Sequence, residues 1–598
     1  MQAIVLAAGY GRRMRPLTDD CHKALLPVGG TTILARIVDS LVELGVTDVT
    51  VVTGYRASDV TSYLVEYYPA MRFQFIENVA YAETNNIVSL ALALDQMELA
   101  GDVLLIECDL LFETRLLRRL VERQGNVALV DHYRSGMDGT VVSVMGGFVT
   151  NVYPPHLQDA SFSYADKFKT LNIYRFSRTF IESTLRPLLH VYAHQIDGSS
   201  YYELVLGMLA NIPAHRIAAE IVAGDTWIEV DDPNDLAVAR FRFEPEQRAA
   251  TLDRAQGGDW ALDVQDFAFM RNVHFPTDGM IAALRHALPD LLKRYGSTQV
   301  VLNEKLGLAM ELTPARLQIL HGATQGFPLL RDLVGDEPIA IPTPSFGEYP
   351  RMFGHATTYG DDGDVSAILD RLAERAAAER WVTVVNPNNP TGTTLPSASL
   401  HALAKRFPGT RFLVDESFID FSGETPLATL LEREPLTNVV VLVSMSKTLG
   451  VPGLRLGYLY SCDPEVVAAI GAALPIWNMS AISEYFLELI PKFRLDIEAS
   501  VAQTISDRAE LRAMLTSDPE IDAIWPSGGN FMLVKLRGSA AVAQATRQAL
   551  LVAHSLDVKN VSSKFGDGRG WLRLGVRTSE ENVIFAGLLR DTLAAAAS

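Results

Sequence analysis

The 598-residue sequence predicts a mixed α/β protein made of two successive units. Three observations carry that expectation. The chain is about three to four times the length of one typical domain, so it needs several cores. In the first 240 residues short β-branched runs alternate with amphipathic stretches: QAIVLAA, TILARIVDSLVELG, DVTVVTG and DVLLIECD. Such alternation is the pattern of a mostly parallel sheet covered on both faces. It restarts further on with WVTVVNP, RFLVDES and VVVLVSMS, each ending in a polar loop at the strand end where ligands usually bind in this architecture. Between the two series lies a polar, charged stretch, RFRFEPEQRAATLDRAQGG. It divides the chain into expected units 1–240 and 259–598, with 241–258 as the linker.

Composition narrows the function classes. No apolar run reaches the roughly 18 residues needed to cross a bilayer, and Met1–Ala8 is a strand-like run leading straight into a glycine-rich loop, unlike a signal peptide. Cys21, Cys108 and Cys462 are far apart, with neither metal nor disulfide spacing. A cytoplasmic protein with no membrane partner is expected. The formal net charge of −19 argues against a nucleic-acid partner, so a phosphate-bearing ligand must be held by local basic groups and backbone amides.

The first such place is LAAGYGRRMRPLTDDCHKALLPV, Leu6–Val28. Gly9 and Gly11 let the backbone approach a phosphate chain, while Arg12, Arg13 and Lys23 supply countercharge. A plain dinucleotide loop is opposed by the spacing, since G-x-G-x-x-G is absent. The segment resembles the sugar-nucleotide pyrophosphorylases, with His22 where that family usually has proline. The resemblance implies a Rossmann-like nucleotidyltransferase in which Leu6, Ala8, Gly9, Gly11, Arg12, Arg13 and Lys23 bind the nucleotide and Lys23 is catalytic. It also implies that Asp109, after VLLIEC, and Asp231, in WIEVDDPNDL, are paired Mg²⁺ ligands. Hard oxygen donors suit that ion, which neutralises a triphosphate and orients it for in-line attack. Asp232 and Asp235 read as a turn residue and a helix cap. YAETNNIVSL and KTLNIYRFS are similar to the phosphocholine and aminoethylphosphonate cytidylyltransferase branch. That likeness implies CTP as donor, Asn85 and Asn86 in the pocket, and Lys169 on the acceptor's phosphoryl group. An Asn pair before Ile87–Leu94 can equally cap a helix.

In the second unit SMSKTLGVPGLRLGY, RFLVD, NPNNPTG, HGATQG and TPSFGEY occur in the setting of a fold-type I pyridoxal phosphate enzyme, with a large α/β domain and a small one. The resemblance, to the branch of histidinol-phosphate aminotransferase and threonine-phosphate decarboxylase, implies a role for each element. Lys447 carries the cofactor, Asp415 pairs with its pyridinium nitrogen, and Asn389 bonds its phenolic oxygen. Ser444, Ser446, Arg455, Ala323 and Thr324 hold its phosphate, and Phe346 stacks on its ring. Arg573 grips the substrate carboxylate. Tyr295 reaches the cofactor phosphate of a second copy, so a homodimer is implied. Aminotransferases usually have tyrosine three positions after the ring-nitrogen aspartate, whereas this chain has Phe418 in VDESFIDF. That run looks like the decarboxylase, yet sequence alone leaves transamination open, because the outcome depends on which Cα bond is held perpendicular to the ring.

The conjunction of the two halves resembles bifunctional enzymes of phosphonate metabolism. One type pairs aminoethylphosphonate cytidylyltransferase with a transaminase. The other attaches CMP to 2-amino-4-phosphonobutyrate and decarboxylates the product to CMP-3-aminopropylphosphonate. Phe418 favours the second, and a small amino-phosphonate with CTP is the expected substrate pair.

Overall fold

The computed structural model describes the whole chain except Ser135, Ala160, Asn211, Ala223, Asp225, Asp259 and Ser598, and the side chain of Ala597. Asp259, the expected first residue of the second unit, therefore lies outside the described residues. The described residues form two compact α/β units, Met1–Ala255 and Asp263–Ser598.

In the first unit the chain starts as Gln2–Ala7, a strand buried along its whole length. It lies between Asp48–Thr53 and Val103–Glu107, parallel to both, with Leu6 level with Val52 on one side and Glu107 on the other. Burial on both faces explains the continuous apolar run without polar alternation. Further strands extend this sheet to nine among the described residues, and Phe168–Phe176 joins Val103–Glu107 to Val127–His132 by antiparallel pairing. The helix Ile33–Glu43 covers one face, its N-terminus closed by Thr32, whose side chain accepts from the Ala35 N–H at 3.0 Å. The helices Asn86–Gln96 and Tyr202–Ala210 cover the other. Because the parallel strands run together, the loops after Ala7 and Glu107 emerge on the same sheet edge, which brings Gly9 and Asp109 together.

The stretch expected to be a linker is folded. Pro233–Phe243 is a helix, and Arg248–Ala255 is another that buries Ala249 and Leu252. Arg248 donates from Nε to the Phe241 carbonyl at 2.9 Å and lies over that ring. The many charges that suggested a linker are the solvated faces of these helices, and the few apolar residues suffice to dock them.

The second unit is built on a seven-stranded sheet among the described residues. Its order is Leu317–His321, Leu456–Ser461, Val439–Ser444, Arg411–Asp415, Trp381–Val385, Ile339–Thr343 and Thr357–Gly360. Leu456–Ser461 is antiparallel to both its neighbours, and the strands from Val439–Ser444 onward are parallel. Asp415 and Ser444 thus finish adjacent parallel strands. A smaller antiparallel sheet holds Phe531–Ser539 and Arg569–Gly575 and brings in Arg573.

Candidate active sites

The first unit contains a cavity of about 620 Å³ at the edge where the parallel strands end. Leu6, Ala8, Gly9, Gly11, Arg12, Arg13, Lys23, Asn85, Asn86, Asp109 and Asp231 all line it. Gly11 sits at φ +62°, and a Cβ there would press on the Lys23 stem at 3.3 Å, so the turn needs glycine for both reasons. Lys23 Nζ donates to Asp109 Oδ2 at 2.9 Å and to Asp231 Oδ1 at 2.8 Å. Burial works against its charge, but Asp109 and Asp231 outweigh burial and hold the ammonium protonated above its ordinary range. Arg13 pairs with Asp231 at 2.7 Å and Asp138 at 3.1 Å. His22, in place of the usual proline, is fully buried and accepts the Ala24 N–H at Nδ1, capping the turn that carries Lys23. Burial, with Lys23 beside it, pushes this imidazole down to about 4, so it is neutral at physiological pH.

Asn85 is the N-cap of Asn86–Gln96 and also faces the cavity, so capping and lining coincide. Asn86 Nδ2 donates to Glu107 Oε1 at 3.1 Å and to Glu203 Oε2 at 3.4 Å. Asp232 is the N-cap of Pro233–Phe243, and the Asp235 carboxylate accepts the Asp231 and Asp232 N–H groups at 2.9 Å. That pair therefore orients Asp231. Lys169 is 2% exposed and sits behind the cavity wall, paired through Nζ with the lining residue Glu229, Oε2 at 2.8 Å. An ammonium this deep is held by a carboxylate already present, which makes Lys169 a positioning residue for Glu229.

Glu229 was missing from the expected set. Its carboxylate clusters with Asp109 and Asp231, one ligand atom from each lying within 4.8 Å of the others. Burial, with the charges of Asp109 and Asp231, pushes Glu229 up to about 7, and Lys169 only limits that rise. Asp109 Oδ1 is buried with no hydrogen-bond partner among the described residues. Three hard donors, one of them orphaned, fit a divalent cation. The sequence signal was alternation: Glu229 stands two residues before Asp231, as Glu107 stands two before Asp109, and such residues share one side of extended chain.

In the second unit Lys447 is half-buried. Burial, then the charges of Arg573 and Arg455, push its amine down to about 8, against the pull of Asp266 and Asp415. Asp415 accepts from Tyr349 Oη at 2.8 Å and from Ser417 Oγ at 2.6 Å. Burial raises it despite those donors. Tyr349, three residues beyond Phe346, was also missed. Phe346 itself is 37% exposed, its ring 6.1 Å from that of Phe327. Arg573 donates to Asn389 Oδ1 and to the Ala268 carbonyl, each at 2.7 Å, while its buried Nε has no partner among the described residues.

Arg455 reaches Thr324 Oγ1 at 2.9 Å. A Cβ on Gly322, which sits at φ +74°, would collide with its guanidinium, so Gly322 and Arg455 are closely fitted beside Ala323. Ser446 Oγ is buried without a partner among the described residues. Ser444, at the strand end, donates its N–H to Ser417 Oγ at 3.0 Å. A cationic group, an orphaned hydroxyl and a helical turn beside a half-buried amine of lowered pKa fit pyridoxal phosphate. Phe418 packs edge-on to Phe531 at 5.1 Å, with the Lys447 Nζ 5.8 Å from its ring. Tyr295 is 78% exposed and stacks on Trp477 at 4.6 Å.

A lysine amine takes up an aldehyde cofactor only in its neutral form, and Lys447 is the candidate amine of this site. Cofactor-free protein should therefore take up pyridoxal phosphate faster as pH rises through about 8. Stopped-flow absorbance would show it, and a rate independent of pH between about 7 and 9 would contradict the lowered value.

Comparison with known proteins agrees with this division. The model of the aminotransferase class I and II family matches residues 261–587, and that of the MobA-like NTP transferase domain matches 3–180. CMP-5'-(3-aminopropyl)phosphonate synthase of Streptomyces rubellomurinus is 30% identical over 99% of this chain and 95% of its own length. L-serine phosphate decarboxylase of Sulfurospirillum multivorans is 29% identical over 52% of this chain and 81% of its own. The crystal structure of L-threonine-O-3-phosphate decarboxylase from Porphyromonas gingivalis is similar with a TM-score of 0.50 and 20% identity, covering 55% of this chain and all of that one, a likeness of fold alone. The chain thus joins an NTP transferase domain to a class I and II aminotransferase fold, and in that combination it belongs to the family of the CMP-5'-(3-aminopropyl)phosphonate synthase.

Proposed function

We propose that this chain transfers CMP from CTP to an amino-phosphonate, 2-amino-4-phosphonobutyrate, releasing pyrophosphate, and then decarboxylates the CMP-linked amino acid to CMP-3-aminopropylphosphonate. The observation that carries the reading is the pairing of a carboxylate-and-lysine cavity with a lysine of lowered pKa flanked by Phe418 in one chain of this family.

In the first unit Asp109, Glu229 and Asp231 would hold Mg²⁺, which neutralises the triphosphate. Lys23, Arg12 and Arg13, with the amides around Gly9 and Gly11, bind the phosphates. The acceptor's phosphonate oxygen forms the new P–O bond as the bond to pyrophosphate breaks. In the second unit pyridoxal phosphate supplies an electron sink for the bonding pair left when a Cα bond is cleaved. Lys447 would carry it, Asp415 and Asn389 would face its ring, and Ser444, Ser446, Arg455, Ala323 and Thr324 would hold its phosphate. Arg573, with its free Nε, orients the amino acid, and Lys447 delivers the proton that replaces the departing carboxylate on Cα. Phe418 offers no hydroxyl beside the cofactor's phenolic oxygen. The CMP tag gives this second site a handle whose remote binding energy orients a small amino acid.

Exposed Tyr295 and Trp477, with Ile476 and Val300 also exposed, support a homodimer through the second unit. No described helix is long and apolar enough to cross a membrane, and the three cysteines are free, which supports a cytoplasmic enzyme.

Mass spectrometry with CTP and a panel of amino-phosphonates, with and without pyridoxal phosphate, tests both steps. A CMP adduct should form in either condition and lose CO₂ only with the cofactor. If no phosphonate accepts CMP, the reading fails. Pyridoxamine phosphate accumulating in place of CO₂ release would establish an aminotransferase.

A further inference from the structure

The helix Asn86–Gln96 presents Asn85 and Asn86 to the nucleotide cavity at one end, and at the other end Asp95 meets two histidines from a second segment. His190 belongs to the helix Arg186–Val191, and His194 to the π-helical turn Tyr192–Ile196 that continues it. Such wider turns recur at functional sites, and this one keeps residues four apart nearly in line. The two imidazoles lie 5.0 Å apart. Asp95 Oδ2 is 2.7 Å from His190 Nδ1 and 3.8 Å from His194 Nε2. Around a tetrahedral ion with bonds of about 2.0–2.1 Å, ligand atoms sit roughly 3.3–3.4 Å apart, so small side-chain rotations complete the set. Two imidazoles and one carboxylate suit zinc, whereas the all-oxygen trio of the nucleotide cavity suits a harder ion.

We propose that Asp95, His190 and His194 bind a Zn²⁺-class ion that clips together two segments flanking the nucleotide cavity. The same segments already converge at their other ends. The Gly198 carbonyl accepts the Asn85 N–H at 2.9 Å, the Ser199 carbonyl accepts Asn85 Nδ2 at 3.2 Å, and Asn86 Oδ1 accepts the Tyr202 N–H at 3.0 Å. An ion at Asp95 would fix the remaining end, holding the helix that positions Asn85 and Asn86. The side chains are solvent-accessible, which leaves the fourth position to water.

Equilibrium dialysis of the full-length, cofactor-loaded protein against ZnCl₂ in excess MgCl₂ tests the site without contest from the hard-oxygen cluster. Wild type should retain about one equivalent of zinc more than H190A/H194A, and D95N should bind it more weakly. Zinc should also raise the thermal midpoint of wild type and not that of the double variant. Far-ultraviolet circular dichroism reports whether these surface variants keep the fold. Equal zinc uptake by wild type and a folded H190A/H194A variant, or uptake by wild type only at millimolar zinc, overturns the proposal.

Discussion

Lys447→Ala should abolish CO₂ release while leaving CTP-dependent pyrophosphate release unchanged. The lysine is the amine that would carry the cofactor and, in the proposed mechanism, would return the proton to Cα. Proton transfer by a positioned side chain alone contributes on the order of 10²–10⁴-fold, and loss of cofactor attachment adds to that, so a fall of about 10³-fold or more is expected. Its surroundings make the role specific. An ordinary surface lysine titrates at about 10.4, whereas Lys447 is lowered to about 8 by burial and by Arg573 and Arg455, so its neutral form is far more populated. The first activity should survive because no described residue lining the nucleotide cavity comes from the second unit. Visible absorbance of the bound cofactor, CO₂ release from synthetic CMP-linked amino acid, and pyrophosphate release measured on one preparation separate the outcomes. Retention of CO₂ release by the variant would remove Lys447 from the mechanism. Loss of both activities in a folded variant would mean that the two units depend on one another.

What could be read from the sequence follows from how each site is assembled. The loop at Gly9–Lys23 and the segment at Lys447 are contiguous, so their chemistry is written in consecutive residues. Glu229, Glu203 and Tyr349 act through partners far away in the chain. Tyr349 bonds Asp415 across 66 positions, and Glu203 meets Asn86 across 117. Only folding creates those pairs. Lys169 shows the same limit from the other side: its motif was legible, but the motif could not reveal its pairing with Glu229 across 60 positions, at 2.8 Å. The stretch read as a linker carries a helix that was not legible for a third reason, since charge density describes the solvated face of a helix and says little about the few residues it buries, here Ala249 and Leu252.

Asp231→Asn should lower cytidylyl transfer on the order of 10²–10³-fold and leave decarboxylation of preformed CMP-linked amino acid intact. The substitution keeps shape and removes one charge. Asp231 receives Lys23 at 2.8 Å and Arg13 at 2.7 Å, and belongs to the trio with Asp109 and Glu229. Burial would raise its pKa, but Lys23 and Arg13 overcome burial and hold it below the ordinary carboxylate range, so it is a full negative charge at neutral pH. An amide at that position offers the cation a neutral carbonyl oxygen in place of a charged carboxylate oxygen. The deficit should therefore shrink as Mg²⁺ is raised, because weaker cation binding is overcome by mass action. A purely structural role for Asp231 would give the same loss at every Mg²⁺ concentration, along with a lower unfolding midpoint. Activity equal to wild type at low Mg²⁺ would remove Asp231 from the cation site and leave Asp109 and Glu229 as its remaining anchors.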